Sequence, residues 1–307
     1  MQIGFCGSGH FAALCLELIS KSAKPAWVIT NAPKPAGRGM QLRVTPVSEA
    51  AEKLGVTTYT TEKLSADAGL LEFIKSDTPD LIMVIDFGHM IKEPLLSLPR
   101  IGCINIHPSK LPLYRGSAPV QRAIMDGLTE TAVTLFKLDA GMDSGPILSQ
   151  PTVPILPEDD TESLLAKCAK AGCDEIIKYI EQHPAEEWSF MPQDTSAVSY
   201  APKIEKNEGK IEWGRDAHTL INLIRALKYS PGTYCTISGK RLRIHDAEYV
   251  RAGGKRGTII AMEDNMPIVA CSDGAVKLIS VQPEGKKIQK ADEWLRGSRL
   301  KIGDSLE

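Results

Sequence analysis

Short apolar runs alternate with helix-period segments through the first half of this chain, and few architectures accept that order. Residues 2–6, 26–30, 81–85, 101–106 and 132–138 read as strands. Residues 10–20, 46–54 and 118–125 read as helices, the first with Phe11, Leu14, Cys15 and Leu18 on one stripe. The alternation predicts a parallel, doubly wound α/β sheet. Ligands of such sheets sit beyond the carboxyl ends of the strands. The unusual residues fall at those ends: Gly7, then Asp86-Phe87-Gly88-His89, then Asn105 and His107.

The second half changes character. Residues 161–182 read as one long helix with capping chemistry at Asp160-Thr161-Glu162. A polar stretch over 192–210 reads as a connection, and 216–227 as a further helix. Five strand-like runs follow, at 232–237, 242–249, 257–261, 267–270 and 275–283, with Gly, Asp and Asn between them. Short strands at that spacing suit a small antiparallel barrel of the oligonucleotide-binding (OB) kind.

Charge divides along the same line. Residues 201–307 carry 19 Lys and Arg against 14 Asp and Glu, whereas residues 1–200 carry 17 against 24. A basic part behind an acidic one points toward a polyanion. The seven cysteines are scattered, odd in number and without a CxxC pair. That usage fits reduced thiols in a cytoplasmic protein, and neither zinc nor another metal is expected. Met1 leads straight into a strand, so no signal peptide is expected. No apolar stretch reaches the ~20 residues of a membrane span, so no membrane partner is expected.

Three segments carry candidate chemistry. Asn105 and His107 stand two residues apart at a strand end, so they share a face. Together they offer a hydrogen-bond donor and a proton-handling group, the pair that acyl-group chemistry needs. Asp143 lies in the turn after the 132–138 strand, where it can come against His107 and orient the imidazole. Asp139 reads as a turn residue. The long basic loop 33–43, with Lys34, Arg38 and Arg43, suits phosphate. Gly7-Ser8-Gly9-His10-Phe11-Ala12 has the form of a weak dinucleotide fingerprint. The acidic residue that should follow the second strand is missing from Val28-Ile29-Thr30-Asn31, which disfavours a nicotinamide enzyme.

Asn105-x-His107, the run from Ser109 through Leu113-Tyr114-Arg115-Gly116, and Asp143 resemble the folate-dependent formyltransferase family. Pro35-Ala36-Gly37-Arg38-Gly39, Tyr200-Ala201-Pro202-Lys203-Ile204, Glu208 to Trp213 and Ile224-Arg225-Ala226-Leu227 are similar to the branch that formylates initiator methionyl-tRNA. The resemblance implies a Rossmann-like formyltransferase catalytic domain over 1–185, a linker over 186–206, and an OB-like tRNA-binding domain over 207–307. It implies formyl transfer from 10-formyltetrahydrofolate, as co-substrate, to the free amine of methionyl-tRNA, by a cytoplasmic monomer. Asn105 and a protonated His107 would stabilise the oxyanion, with Asp143 holding His107 and accepting the amine proton. Folate would lie on Ser109, Lys110, Leu111 and Pro112 and against Asp86, Phe87, Gly88 and Ile91. Lys34, Arg38 and Arg43 would meet the tRNA. The chain departs from the family at the first turn, usually Gly-Thr-Pro-x-Phe-Ala, and has Tyr114 where Trp is frequent. Its closest rival, a sugar-nucleotide N-formyltransferase, shares the Asn-x-His and Asp set but not the basic loop. A nucleic-acid-binding module with a dead α/β domain is disfavoured by the intact Asn105, His107 and Asp143.

Overall fold

The computed structural model describes residues 1–36, 41–64 and 67–307. They pack as two compact units. One holds 1–116, 130–154 and 165–200; the other holds 117–129, 155–164 and 201–307.

The first unit is built on a seven-stranded sheet. In chain order its elements begin with β1 (Ile3–Gly7), α1 (His10–Ile19) and β2 (Trp27–Asn31). A small hairpin of β3 (Lys34–Ala36) and β4 (Gln41–Arg43) follows, then α2 (Pro46–Leu54), β5 (Thr57–Thr61), α3 (Ala68–Ser76), β6 (Leu81–Ile85) and β7 (Gly102–His107). The sheet order is β10-β9-β7-β6-β1-β2-β5, where β9 is Thr134–Lys137 and β10 is Ile147–Ser149. Five strands run parallel, as expected, but β9 is antiparallel to β7 and β10 to β9, so the sheet is mixed.

The chain steps outward from β1 to β2 and β5, then returns to β6 on the other side of β1. That reversal makes the carboxyl ends of β1 and β6 the topological switch point of the sheet, where open α/β sheets bind ligands.

Both faces of the sheet are covered. Helix α5 (Thr161–Gln182) packs on one face: a Cβ at its Gly172 would lie 2.6 Å from Ile106 Cγ2. Helix α1 shares that face, since the Cys173 thiol on α5 donates to the Cys15 carbonyl at 3.7 Å. The opposite face carries a core of Cys6, Trp27, Ile82, Val84 and Cys103 under Leu70 and Ile74 of α3. Each fully buried aliphatic side chain there stabilises the fold by about 1.5–3 kcal/mol. Asn105 and His107 share the parity of Cys103, so β7 turns them away from Ile106 and α5.

In the second unit, α4 (Pro119–Met125) and α6 (Ala217–Leu227) accompany an antiparallel sheet. Its strands are β12 (Thr233–Ile237), β13 (Lys240–Val250), β14 (Ile259–Glu263), β15 (Met266–Ala270) and β16 (Ala275–Pro283), in the order β12-β13-β16-β15-β14. A short β17 (Gln289–Lys290) pairs with β16 and leads into α7 (Ala291–Ser298). The final residues bridge the two edge strands. Ile259 N–H donates to Asp304 O at 2.9 Å, Leu306 N–H to Gly257 O at 2.7 Å, and Glu307 N–H to Thr236 O at 2.8 Å. Edge groups that would template aggregation are thereby paired.

The expected single strand over 132–138 is two, β8 (Glu130–Ala132) and β9. Between them Val133 turns its N–H to Pro151 O, and β8 pairs with β11 (Thr152–Pro154) instead of the main sheet.

Candidate functional site

β7 ends in Asn105 and His107, and the chain after it folds back as a tight loop. His107 is buried, and its Nε2 donates to the Tyr114 carbonyl at 3.1 Å. A carbonyl only accepts, so Nε2 carries the proton of that bond. The other ring nitrogen, Nδ1, faces Asp143 Oδ2 at 3.9 Å. The same Asp143 oxygen accepts the Gly116 N–H at 2.8 Å. One carboxylate thus ties the end of the loop to the imidazole that begins it. Asp143 has left-handed backbone (φ +51), as does Tyr114 (φ +58). Asp139 closes its own turn, accepting from Gly141 N–H and the Ser144 hydroxyl. The Asn105 amide, half-buried, makes no hydrogen bond among the described residues.

Ser109–Pro112 is a hardened wall. The Thr134 hydroxyl donates to Ser109 O at 2.6 Å and accepts from Leu111 N–H at 3.1 Å. Gln150 Nε2 donates to Leu111 O, Leu113 N–H to Lys110 O and Ser199 N–H to Pro112 O. Every carbonyl of the four therefore already accepts one bond. Among the amides, Lys110 N–H alone has no acceptor within the described residues. Leu111 is buried and Lys110 exposed.

The segment after β6 splits by role. Phe87 and Ile91 belong to the core, and Asn31 Nδ2 donates to Phe87 O at 3.2 Å. Gly88 and Asp86 are exposed at the sheet edge. His89 lies edge-on to Phe87, its imidazole held below its ordinary range by burial and by Lys34. Although Asp86 meets solvent, its carboxyl lies crowded against the first turn. That partial burial pushes it up to about 6, with His10 pulling modestly the other way.

The Gly7–Ala12 turn does not present a phosphate cradle. Ser8 and Gly9 N–H both donate to the Asp86 carbonyl, at 3.0 and 3.2 Å. Lys34 and Arg43 are exposed and directly opposite each other on the β3–β4 hairpin. Arg38 lies outside the described residues. Among the described residues no three His, Cys, Asp or Glu side chains gather as a metal-ligand set.

Two residues to which the sequence assigns no role hold the site, Arg115 within the 109–116 run and Gln193 outside any motif. Gln193 and Arg115 are both buried, and Arg115 Nε and a terminal nitrogen donate to Gln193 Oε1 at 3.2 and 2.7 Å. Gln193 Nε2 in turn donates to the carbonyls of Asp143 at 2.9 Å and Gly145 at 2.7 Å. Gln193 stands in the polar stretch read as a connection, and no motif marks it.

The family described as formyl transferase matches residues 2–180, and formyl transferase, C-terminal domain, matches 203–299. The chain is 35% identical over 312 residues to the methionyl-tRNA formyltransferase of Dictyoglomus thermophilum, covering 100% of both chains. It is 34% identical over 307 residues to that of Geobacter metallireducens, covering 100% of this chain and 98% of the other. Solved structures share its fold. HypX from Aquifex aeolicus matches with a TM-score of 0.66 at 19% identity over 99% of this chain and 49% of that one, so this chain spans about half of HypX. The N-formyltransferase from Helicobacter canadensis, solved with folinic acid and dTDP-3-aminofucose, matches with a TM-score of 0.66 at 20% identity over 92% of this chain and 99% of that one. Family matches over both halves and relatives aligned across the whole chain give the same answer: the chain belongs to the formyl transferase family, among the methionyl-tRNA formyltransferases.

Proposed function

We infer that the chain transfers the formyl group of 10-formyltetrahydrofolate to the free α-amino group of initiator methionyl-tRNA, as a monomer in the cytoplasm. The observation that carries the catalytic assignment is the free Asn105 amide beside an imidazole fixed from both ends. A donor with no partner of its own costs no rearrangement when charge develops on a nearby oxygen.

The amine nitrogen attacks the formyl carbon, and the carbonyl π pair moves onto oxygen. Asn105 donates to that oxyanion. His107, with Nε2–H engaged by Tyr114 O, meets it through Nδ1–H in its cationic form, against the negative Asp143 carboxylate. The C–N10 bond then breaks with its electron pair leaving on N10; the attacking nitrogen gives up one proton to solvent and N10 takes one from it, so the proton count balances. No covalent enzyme intermediate is needed.

The pterin ring has an apolar surface to rest on: Leu113, Met142 and Met90 are exposed on the three loops that carry the site residues. Within Ser109–Pro112, Lys110 is the residue with free groups for it; Asp86 and Gly88 border the same edge. Facing like charges destabilise a hairpin, so Lys34 opposite Arg43 favours an anion between them. That supports phosphate contact by the hairpin, with Arg38 between them in sequence. The 19 Lys and Arg of residues 201–307 add a second basic surface. Among the described residues no helix is long and apolar enough to cross a membrane, and all seven cysteines are free and buried, as in a reducing compartment.

The test incubates the protein with 10-formyltetrahydrofolate and charged initiator tRNA and assays formylmethionine. Formylation of an amino sugar nucleotide with none of the tRNA would overturn the reading.

A further inference from the structure

β9 lies beside β7 in antiparallel register, with Phe136 opposite Asn105 and Thr134 opposite His107. Residues directly opposite on paired strands turn their side chains to the same face, ~5 Å apart at Cβ. Thr134 is therefore the cross-strand neighbour of the imidazole. It is fully buried. Its hydroxyl proton goes to Ser109 O at 2.6 Å, and its oxygen accepts from Leu111 N–H at 3.1 Å and from Gln150 Nε2 at 2.8 Å. One donor and two lone pairs are all that a hydroxyl has, so this one has no capacity left.

Gln150 completes the arrangement. The second proton of its Nε2 goes to Leu111 O at 2.8 Å. Both backbone groups of Leu111 are thus paired with side chains, as a neighbouring strand would pair them. The bonds then run on to the imidazole. Ser109 N–H donates to His107 O at 2.8 Å, and the Ser109 hydroxyl donates to Leu113 O at 2.8 Å. The next carbonyl, that of Tyr114, accepts from His107 Nε2. Tyr114 holds left-handed backbone (φ +58), with its own N–H on the Ser199 hydroxyl. The chain leaves β7 at His107 and comes back onto the same ring at Tyr114, and Thr134 pins the segment between.

Resting on the formyl-transfer reading, we propose that Thr134, held by Gln150, is a positioning residue for His107. It fixes the Tyr114 carbonyl against Nε2, so that Nε2 keeps its proton and Nδ1 is the nitrogen presented toward Asp143. Which ring nitrogen of a histidine is protonated is set by the hydrogen bond that the other makes. An imidazole that lost the Tyr114 carbonyl would be free to carry its proton on either nitrogen. Gln193 holds the carboxylate of the His107–Asp143 pair from one side; Thr134 holds the imidazole from the other. Valine has the shape of threonine but neither donates nor accepts. It would leave Ser109 O and Leu111 N–H buried without their partner, and the segment would move to find others. Serine supplies the same one donor and two acceptors.

The test compares the wild-type chain with Thr134→Val, Thr134→Ser and Gln150→Met. Imidazole nitrogen NMR shifts of His107, assigned by their loss in His107→Asn, report which ring nitrogen carries the proton and need no turnover. Formylation of methionyl-tRNA with 10-formyltetrahydrofolate gives kcat and KM. A wild-type chain that makes no formylmethionine refutes the formyl-transfer reading, while the His107 shifts still decide the proposal. The wild type should show a protonated Nε2. Thr134→Val should move that shift toward the average of two exchanging tautomers and lower kcat by ~10- to 100-fold, and Thr134→Ser should restore both. Gln150→Met removes two of the bonds from a half-buried side chain and keeps the Thr134 hydroxyl. It should give the same changes in smaller measure, and it decides the matter if Thr134→Val does not fold. Wild-type His107 shifts in the folded variants overturn the proposal. A folate KM that rises at unchanged kcat overturns it too, because the segment then serves the pterin alone. So does a loss of kcat in Thr134→Ser equal to that in Thr134→Val.

Discussion

Gln193→Ala removes one side chain that holds the Asp143 loop, and its consequences follow from four hydrogen bonds. Two are donated to the carbonyls of Asp143 and Gly145, each worth about 1 kcal/mol. Two come from Arg115, whose charge makes that contact worth about 1.5–3 kcal/mol and leaves a buried guanidinium without its acceptor. Water entering the space left behind recovers some of this, so the expected loss is about 3 kcal/mol, a large part of a typical domain's stability. The catalytic effect is separate. Asp143 holds left-handed backbone with its carbonyl pinned by Gln193, and releasing it shifts the carboxylate against His107. A displacement of ~1 Å costs ~10²-fold in rate, so kcat should fall 10- to 100-fold while KM for tRNA stays put. Gln193→Glu separates the two effects. It keeps an acceptor for Arg115 and recovers stability, but it sets a carboxylate oxygen against the two carbonyls and should not recover kcat. Urea melts and steady-state formylation measure both. The reasoning is refuted if Gln193→Ala keeps its melting midpoint and its kcat within about twofold.

Asn105→Ala should lose ~10² to 10³ in kcat with an unchanged melt, because the amide bonds to nothing inside the described fold; formylation assays and calorimetry check the pair of outcomes. Lys34→Glu with Arg43→Glu should raise KM for tRNA and reduce the salt slope of binding by about 2, leaving KM for folate alone. Burial pushes Asp160 up, but bonds from Ser163 N–H, the Tyr229 hydroxyl and Lys228 outweigh it and hold its carboxyl below the usual range. Its stabilisation is present above the ordinary aspartate range and lost as pH falls through it, so the urea-midpoint gap between wild type and Asp160→Asn should close between about pH 5 and pH 2.

What was legible in the sequence follows from how local each signal is. Pro46–Leu54 was readable to the residue because its ends are written nearby. The Thr45 hydroxyl accepts from Ser48 N–H, Pro46 opens the helix, and Gly55 ends it at φ +61. β5 was missed because Thr57-Thr58-Tyr59-Thr60-Thr61 shows no apolar alternation, and only its place beside β2 makes it a strand. Alternation alone places Asn105 and His107 on one face of β7, whereas the 3.9 Å approach of Asp143 depends on a loop that closes across the sheet edge. Gln193, which holds that loop, and Thr134 and Ser199, which hold the 109–114 segment, meet their partners only in three dimensions. The first turn looked like a dinucleotide fingerprint, and its glycine instead makes room for a carboxyl 77 residues further along.

That last pairing has a cost in stability that depends on pH. Partial burial in the folded chain raises the Asp86 carboxyl from the ordinary aspartate range to about 6, so it binds the proton more tightly than the unfolded chain. Stability therefore declines as pH rises through that window, and the folded state carries an uncompensated charge above it. The full shift corresponds to about 3 kcal/mol, but the residue meets solvent, and screening reduces the expected penalty to about 1 kcal/mol. Asp86→Asn should thus be more stable than the wild type at about pH 8, with the advantage vanishing below about pH 4. A variant that is less stable at pH 8 would mean that the carboxylate has a partner within the fold.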